Sequence, residues 1–258
     1  MSLYLDYFYT SHIGNIRSSN QDNFFCVGEY MDCINKGTDD IISGTISPSS
    51  KPLFAVFDGM GGEEQGEMAA YIASEQMSKF KFQKDPLKSL LDYCVVANSE
   101  ICNFAQGNNI HSMGTTAAML LFDKKKVYMC NIGDSKAFVL SKRSLKQISV
   151  DHVSVSVFGK KPPLSQNLGI PENELIISPY INAMKYQSDD IFLICSDGLT
   201  DMISVDEIES ILLETDKNCA AEKLLQTALK NGGKDNVTLV LIYVSNKKKK
   251  ILNFIKCK

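Results

Sequence analysis

The stretch FAVFDGMGG, residues 54–62, decides how this chain is to be read. An apolar run ends in an acid, Asp58, and then in a segment dominated by Gly59, Gly61 and Gly62. Such a strand end leaves the backbone bare. It is either a tight surface turn or a place where backbone and carboxylate approach a ligand together. A single copy leaves both open. The same pattern recurs, however. Asp197 follows FLICS, Asp134 follows MCNIG, Asp235 stands just ahead of NVTLV, and Asp22 just ahead of NFF. A fifth strand-end acid in one chain is hard to assign to turns alone.

Working outward, residues 4–10 and 23–27 read as short strands, and 52–57 as an apolar one. Residues 33–51, rich in Gly, Ser, Thr and Asp, read as a loop or ragged hairpin. From Glu63 to about Phe82 the apolar period is helical, with Met68, Ile72 and Phe80 on one face beside Ala69, Ala73 and Met77. Pro86 opens a second helix whose apolar face is read as Leu87, Leu91, Val95 and Ile101. After Gly107 the period shortens. TTAAMLLF, KVYMCNI and KAFVLS read as three strands of an antiparallel meander. DDIFLICS (189–196) and NVTLVLIYV (236–244) are two further strands. Between them lie a helix opened by the Ser204–Glu207 capping box and a helix AAEKLLQTALK closed by Asn231, Gly232 and Gly233. Paired helices between groups of strands are not the strict alternation of a doubly wound fold. The pattern predicts α+β architecture, with helices stacked on antiparallel sheets, in one domain over 1–246 followed by a basic and apolar tail over 247–258.

Composition narrows the function. A hydrophobic share of 44% with 22% charged residues fits a globular chain, and a net charge of −3 gives no basic field for nucleic acid. No signal peptide and no run long enough to span a membrane are visible, so a cytoplasmic protein is expected. The eight cysteines form no C-x-x-C pair, which predicts reduced, mostly buried thiols and no zinc site. If the strands share packed sheets, their ends meet at one edge, and the gathered carboxylates need counter-charge. An all-oxygen donor set suits Mg²⁺ or Mn²⁺ rather than Zn²⁺. Two such ions close together would acidify a bridging water and stabilise a phosphoryl group. Arg17, just ahead of the first acid, is the natural guanidinium clamp for phosphate.

Six segments then make a resemblance. They are IGNIRSSNQD (13–22), VFDGMGG (56–62), GTT (114–116), NIGDS (131–135), SDGLTD (196–201) and KDNVTLVLI (234–242). In this order the chain resembles the metal-dependent protein serine/threonine phosphatases of the type-2C (PPM) family, from about Tyr7 to Val244, and looks like the bacterial branch. The resemblance implies a sandwich of two antiparallel β-sheets with a helical layer outside each. It implies that Asp58 bridges two metals, that the Gly59 carbonyl joins one, and that Asp197 and Asp235 complete the first site. Asp22 would hold metal-bound water, Arg17 the substrate phosphate, and Asn236 would orient Asp235. Asp134 and Asp201, sharing an ion with Asp197, match a third and weaker metal site. Gln21 stands where some members have a metal-binding Glu. The implied activity is hydrolysis of phosphoserine and phosphothreonine in proteins, by a monomer opposing a serine/threonine kinase. The competing reading is a pseudophosphatase that binds phosphoproteins without turnover. Two departures stand out. Met60 replaces a histidine that some members use as an acid. The flap segment between Asp151 and LSQNLG (164–169) is short, with Lys160 and Lys161 as its cations.

Overall fold

Long apolar runs without strict alternation make strands that are buried on both faces, and such strands need two layers of cover. The computed structural model describes residues 3–60, 65–155 and 162–246 and shows that arrangement. The first strands are β1 (Tyr4–His12), β2 (Asp22–Cys26), β3 (Ile42–Ile46) and β4 (Leu53–Met60). Helices α1 (Gly66–Lys79) and α2 (Pro86–Gly107) follow. Then come β5 (Gly114–Thr115), β6 (Ala117–Phe122), β7 (Lys126–Ile132), β8 (Lys136–Ser141), β9 (Ser144–Gln147), β10 (Tyr180–Lys185) and β11 (Ile191–Cys195). The chain continues through α3 (Asp197–Thr200), α4 (Val205–Glu214) and α5 (Lys217–Lys230) to β12 (Val237–Ser245). One sheet runs β3-β1-β12-β11-β8-β9; the other runs β10-β7-β6-β4-β2, with β5 paired to β4. Every strand pairing is antiparallel.

Side-chain alternation assigns each face. On β4, Phe54 and Val56 enter the core between the sheets, whereas Ala55 and Phe57 meet α1 and α2. On β12, Val240 and Ile242 face the other sheet, and Leu239 and Leu241 meet α4 and α5. The result is an α+β sandwich of two antiparallel sheets with helices outside each, as the sequence predicts. Asp85 caps α2 by accepting from the backbone of Leu87 and Lys88 at 3.1 and 3.2 Å, ahead of Pro86.

Four expectations need correction. The three strands after Gly107 are not one meander, because β8 leaves β7 and pairs with β11 in the opposite sheet. The crossing is made at Gly133, whose φ of +94° suits glycine and where a Cβ would stand 2.5 Å from Thr116 Cγ2. The buried face of α2 is Leu90, Tyr93, Cys94, Ala97 and Ile101, while Val95 is exposed. The face rotates because Tyr93 can be buried whole, its hydroxyl donating to the Ala73 carbonyl at 2.7 Å. Residues 33–51 contain β3, an edge strand set by pairing with β1 rather than by its own composition, and β10 is a second unread edge strand. Finally, Cys26, Cys33, Cys94, Cys102, Cys130 and Cys195 are free, but Cys219 is in a disulfide. The tail at 247–258, Gly61, Gly62, the start of the first helix at Glu63, and the flap lysines Lys160 and Lys161 lie outside the described residues.

Phe54 tests the sandwich core. It is fully buried, with ring centroids 5.5 Å from Tyr7 and 5.8 Å from Phe122. Phe54→Ala is expected to cost about 3–5 kcal/mol in denaturant unfolding with an unchanged slope. A loss below about 1 kcal/mol would contradict this account of the core.

Candidate active site

The acids collect where the two sheets end together. Asp22 opens β2 and Asp58 lies near the end of β4, and the two are direct cross-strand partners. They share the face of Phe24 and Val56, so both carboxylates turn into the space between the sheets. From the opposite sheet, β11 ends at Cys195 and delivers Asp197 at the start of α3, and β12 is preceded by Asp235. The crossover at Gly133 delivers Asp134, which is 7% exposed. Asp22 is 2% exposed and Asp197 9%, so these are buried acids and not turn acids.

The electrostatics show that they act as one group. Burial pushes Asp58 well above the usual carboxylate range, and the charges of Asp197, Asp22, Asp134 and Asp235 push it further. Burial likewise raises Asp22 to about 7, against hydrogen bonds from Thr238 and Ser196 that favour its charged form, while Asp197 and Asp235 add to the rise. Arg17 is tied in from the other side, its Nη2 donating to Asp235 Oδ2 at 2.7 Å. That bond raises the guanidinium above its ordinary value, aided by the charges of Asp235, Asp58 and Asp197. Half of the Arg17 side chain is still exposed.

Polar braces hold the cluster. Ser196 Oγ donates to Asp22 Oδ2 at 2.7 Å and accepts from Thr238 N at 3.0 Å, which stitches one sheet to the other. The Asp58 carbonyl accepts from Thr116 N at 2.9 Å and from Thr115 Oγ1 at 3.0 Å, and the Asp58 N–H donates to Thr116 Oγ1 at 3.1 Å. Thr116 Oγ1 in turn bonds Ser135 Oγ at 2.6 Å. His152 Nδ1 accepts from the Gly133 N–H at 3.2 Å, beside Asp134. Burial lowers the pKa of this imidazole, which suits an acceptor.

Each expected site residue can now be placed. Asp22, Asp58, Asp134, Asp197, Asp235 and Arg17 come together. Gly59 is buried in the same wall, where a Cβ would stand 2.2 Å from Gly66 O and 2.4 Å from Gln21 O. Asp201 is exposed, one helical turn beyond Asp197, and its N–H donates to the Asp197 carbonyl at 2.7 Å. Gln21 is turned to Glu67, its Nε2 donating at 3.2 Å. Asn236 meets Asp235 through its backbone. Its backbone N–H, not its side chain, steadies Asp235 Oδ1 at 2.8 Å. The side chain accepts from Gln21 N at 2.8 Å and donates to the carbonyls of Ile13 and Ser19 at 2.8 and 3.0 Å. It therefore anchors the loop that carries Arg17. Ser196, Thr115 and Thr116 sit inside motifs that the sequence singled out, but their bracing roles were not read from it.

Among the described residues no three His, Cys, Asp or Glu side chains are gathered as a ready cation cage. Asp235 is drawn to Arg17, and Asp22 to Ser196. The donor chemistry nevertheless fits a hard divalent ion. Every acid in the cluster offers oxygen, and the bare Gly59 backbone is close enough to its neighbours that no side chain could share the space.

Comparison with known proteins agrees with this geometry. A family model described as "Protein phosphatase 2C" matches residues 35–231. The serine/threonine phosphatase stp of Listeria welshimeri is 28% identical over 218 residues, covering 75% of this chain and 84% of that protein. The serine/threonine protein phosphatase PstP of Mycobacterium tuberculosis is 30% identical over 204 residues, covering 73% of this chain and 40% of that protein. The crystal structure of the catalytic domain of PstP in complex with two manganese ions superposes with a TM-score of 0.75 at 26% identity, over 95% of this chain and all of that one. With the family model spanning most of its length, the chain belongs to the protein phosphatase 2C family.

Proposed function

We propose that this protein removes phosphate from phosphoserine and phosphothreonine in proteins, using Mg²⁺ or Mn²⁺ held at the inter-sheet acid cluster. One observation carries the reading: Asp58 sits in the summed field of Asp22, Asp134, Asp197 and Asp235, four acids delivered by both sheets. Carboxylates brought together out of water are costly unless a cation compensates them. Asp58, the Gly59 carbonyl, Asp197 and Asp235 would hold the tighter ions, with Asp22 beside them. Asp134, Asp197 and Asp201 would hold a third, weaker one. When bound, such ions neutralise the acids and supply Lewis acidity toward water and a phosphoryl group.

The remaining work falls to the chain itself. Arg17 offers five donors in a planar fork, and Asp235 takes one edge of it. The exposed edge faces outward to receive a phosphate, bidentate and in a fixed orientation. The Asn236 anchor on Ile13 O, Ser19 O and Gln21 N keeps that fork in place. Met60 carries no proton, so the leaving oxygen takes its proton from water. The relatives named as serine/threonine phosphatases support the substrate class. A serine/threonine kinase that makes such substrates would be the opposing activity. No helix among the described residues is long and apolar enough to cross a membrane; action in the cytoplasm as a monomer is part of the proposal.

Hydrolysis of p-nitrophenyl phosphate, with manganese or with chelator, tests the reading. The wild-type protein is expected to turn over only with manganese. Asp58→Asn should lower kcat at saturating manganese more than about a hundredfold, beyond what loss of an outer partner costs a metal site. Manganese binding without turnover would instead favour the phosphoprotein-binding reading. A second expectation separates the clamp from the metal site. Arg17→Ala should raise KM and weaken inhibition by inorganic phosphate about tenfold or more. It should leave manganese affinity by calorimetry equal or higher, because Asp235 is released. Lost manganese binding with unchanged KM would reverse the assignment.

A further inference from the structure

Beside the acid cluster lies a cavity of about 420 Å³, walled by the C-terminal half of α2, by β5 and by residues 167–174. Its inner wall is Met60 and Gly114, which are paired across β4 and β5. Met60 follows Asp58 by two residues on the same strand, about 7 Å farther along. An extended peptide also advances about 7 Å in two residues. A phosphopeptide that runs along β4 with its phosphorylated side chain at Asp58 and Arg17 would bring the side chain two positions away to the mouth of this cavity.

The cavity is built rather than incidental. Its outer wall is fastened to α2 by the buried Asn98, whose Oδ1 accepts from Gly169 N at 2.7 Å and from Ile170 N at 3.1 Å. Asn98 Nδ2 donates to Ile170 O at 2.9 Å. Leu168 and Thr115 exchange both backbone hydrogen bonds, at 2.9 and 3.0 Å. Thr115 is the residue that also bonds the Asp58 carbonyl. The wall is thus tied to the strands that present the acid.

The lining is mixed, with Gln106, His111, Ser112, Asn167 and Asn173 among its polar members. Met60, Ile110, Met113 and Ile170 supply an apolar stem-way. Glu174 supplies a carboxylate at the rim, and among the described residues no Lys or Arg lines the cavity. The negative field reaches inward: beyond burial, Glu174 and Glu172 raise the thiol of Cys102 in the wall. A cleft that offers an apolar stretch, polar groups and a carboxylate matches a long aliphatic side chain with a cationic head.

We propose that this cavity is a substrate subsite for an arginine or lysine side chain two residues from the phosphorylated one, its stem on Met60, Ile110, Met113 and Ile170 and its head at Glu174. The inference rests on the phosphatase reading. The test uses the wild-type protein with manganese and phosphothreonine peptides that carry Arg, Leu or Glu at the second position on either side. Each kcat/KM is referred to that for p-nitrophenyl phosphate, which is too small to reach the cavity. The Arg peptide is expected to exceed the Glu peptide about tenfold on one side, and Glu174→Lys to flatten or invert that ratio. An exposed pair alone is worth a factor of a few, so the stem must contribute too. An unchanged Arg-to-Glu ratio in Glu174→Lys, or a Leu peptide better than the Arg peptide, would overturn the subsite while aryl phosphate turnover keeps the phosphatase reading standing. Absence of aryl phosphate turnover in the wild type would overturn both.

Discussion

Mutual repulsion among carboxylates gathered at the shared end of two sheets is the constraint on which the rest of this structure depends. Asp22 and Asp58 face each other across one antiparallel pair, and Asp197 and Asp235 come from the sheet opposite. Burial alone disfavours their charged forms, and proximity adds to it. The fold tolerates this because the surrounding backbone is over-determined. The Ser196 hydroxyl, the Thr115–Thr116 pair and the Asn236 side chain each make several hydrogen bonds within the cluster wall. Strain of this kind is held by the scaffold, and it gives a divalent ion its advantage.

The topology explains why the acids meet at all. Each sheet brings its own pair, so the cluster exists only when the sandwich is closed by Phe54, Val56, Val240 and Ile242. The switch of β8 away from β7 carries Asp134 across the gap between the sheets. A meander kept within one sheet would leave that acid at an outer edge. Stability of the core and assembly of the site are therefore one event, whereas Arg17 rides on a loop fastened separately by Asn236.

Much of this was legible in the sequence because strand-end acids beside glycine are local signals. The doubly buried strands were readable from their apolar runs, and the helix starts from Pro86 and Ser204. What stayed hidden depends on distant partners. The transfer of β8 to the other sheet is decided by pairing with Leu193 and its neighbours, not by residues near Gly133. The edge strands β3 and β10 are short and mixed in composition, and pairing with β1 and β7 decides them. The α2 face differs from the sequence expectation because Tyr93 is buried whole, its hydroxyl finding a carbonyl partner one helix away. That the Asn236 side chain serves residues more than two hundred positions earlier, while its N–H holds Asp235, is not visible from the local sequence. Asn98 was passed over, although an amide between Ala97 and Ile101 on a buried helix face has to find partners.

The most direct measurement of the central claim is thermal unfolding of the wild-type protein and Asp58→Asn, each with chelator and with manganese. Repulsion that cations relieve predicts a crossing. Without metal, Asp58→Asn should melt a few degrees above the wild type, because one acid of the mutually repelling cluster is gone. A 1 kcal/mol gain shifts Tm by about 2–4 °C for a chain of this size. With manganese the wild type should rise above the variant, because only its site binds the ion tightly in the folded state. A metal-free variant that melts at or below the wild type, together with no manganese shift in the wild type, would contradict the account.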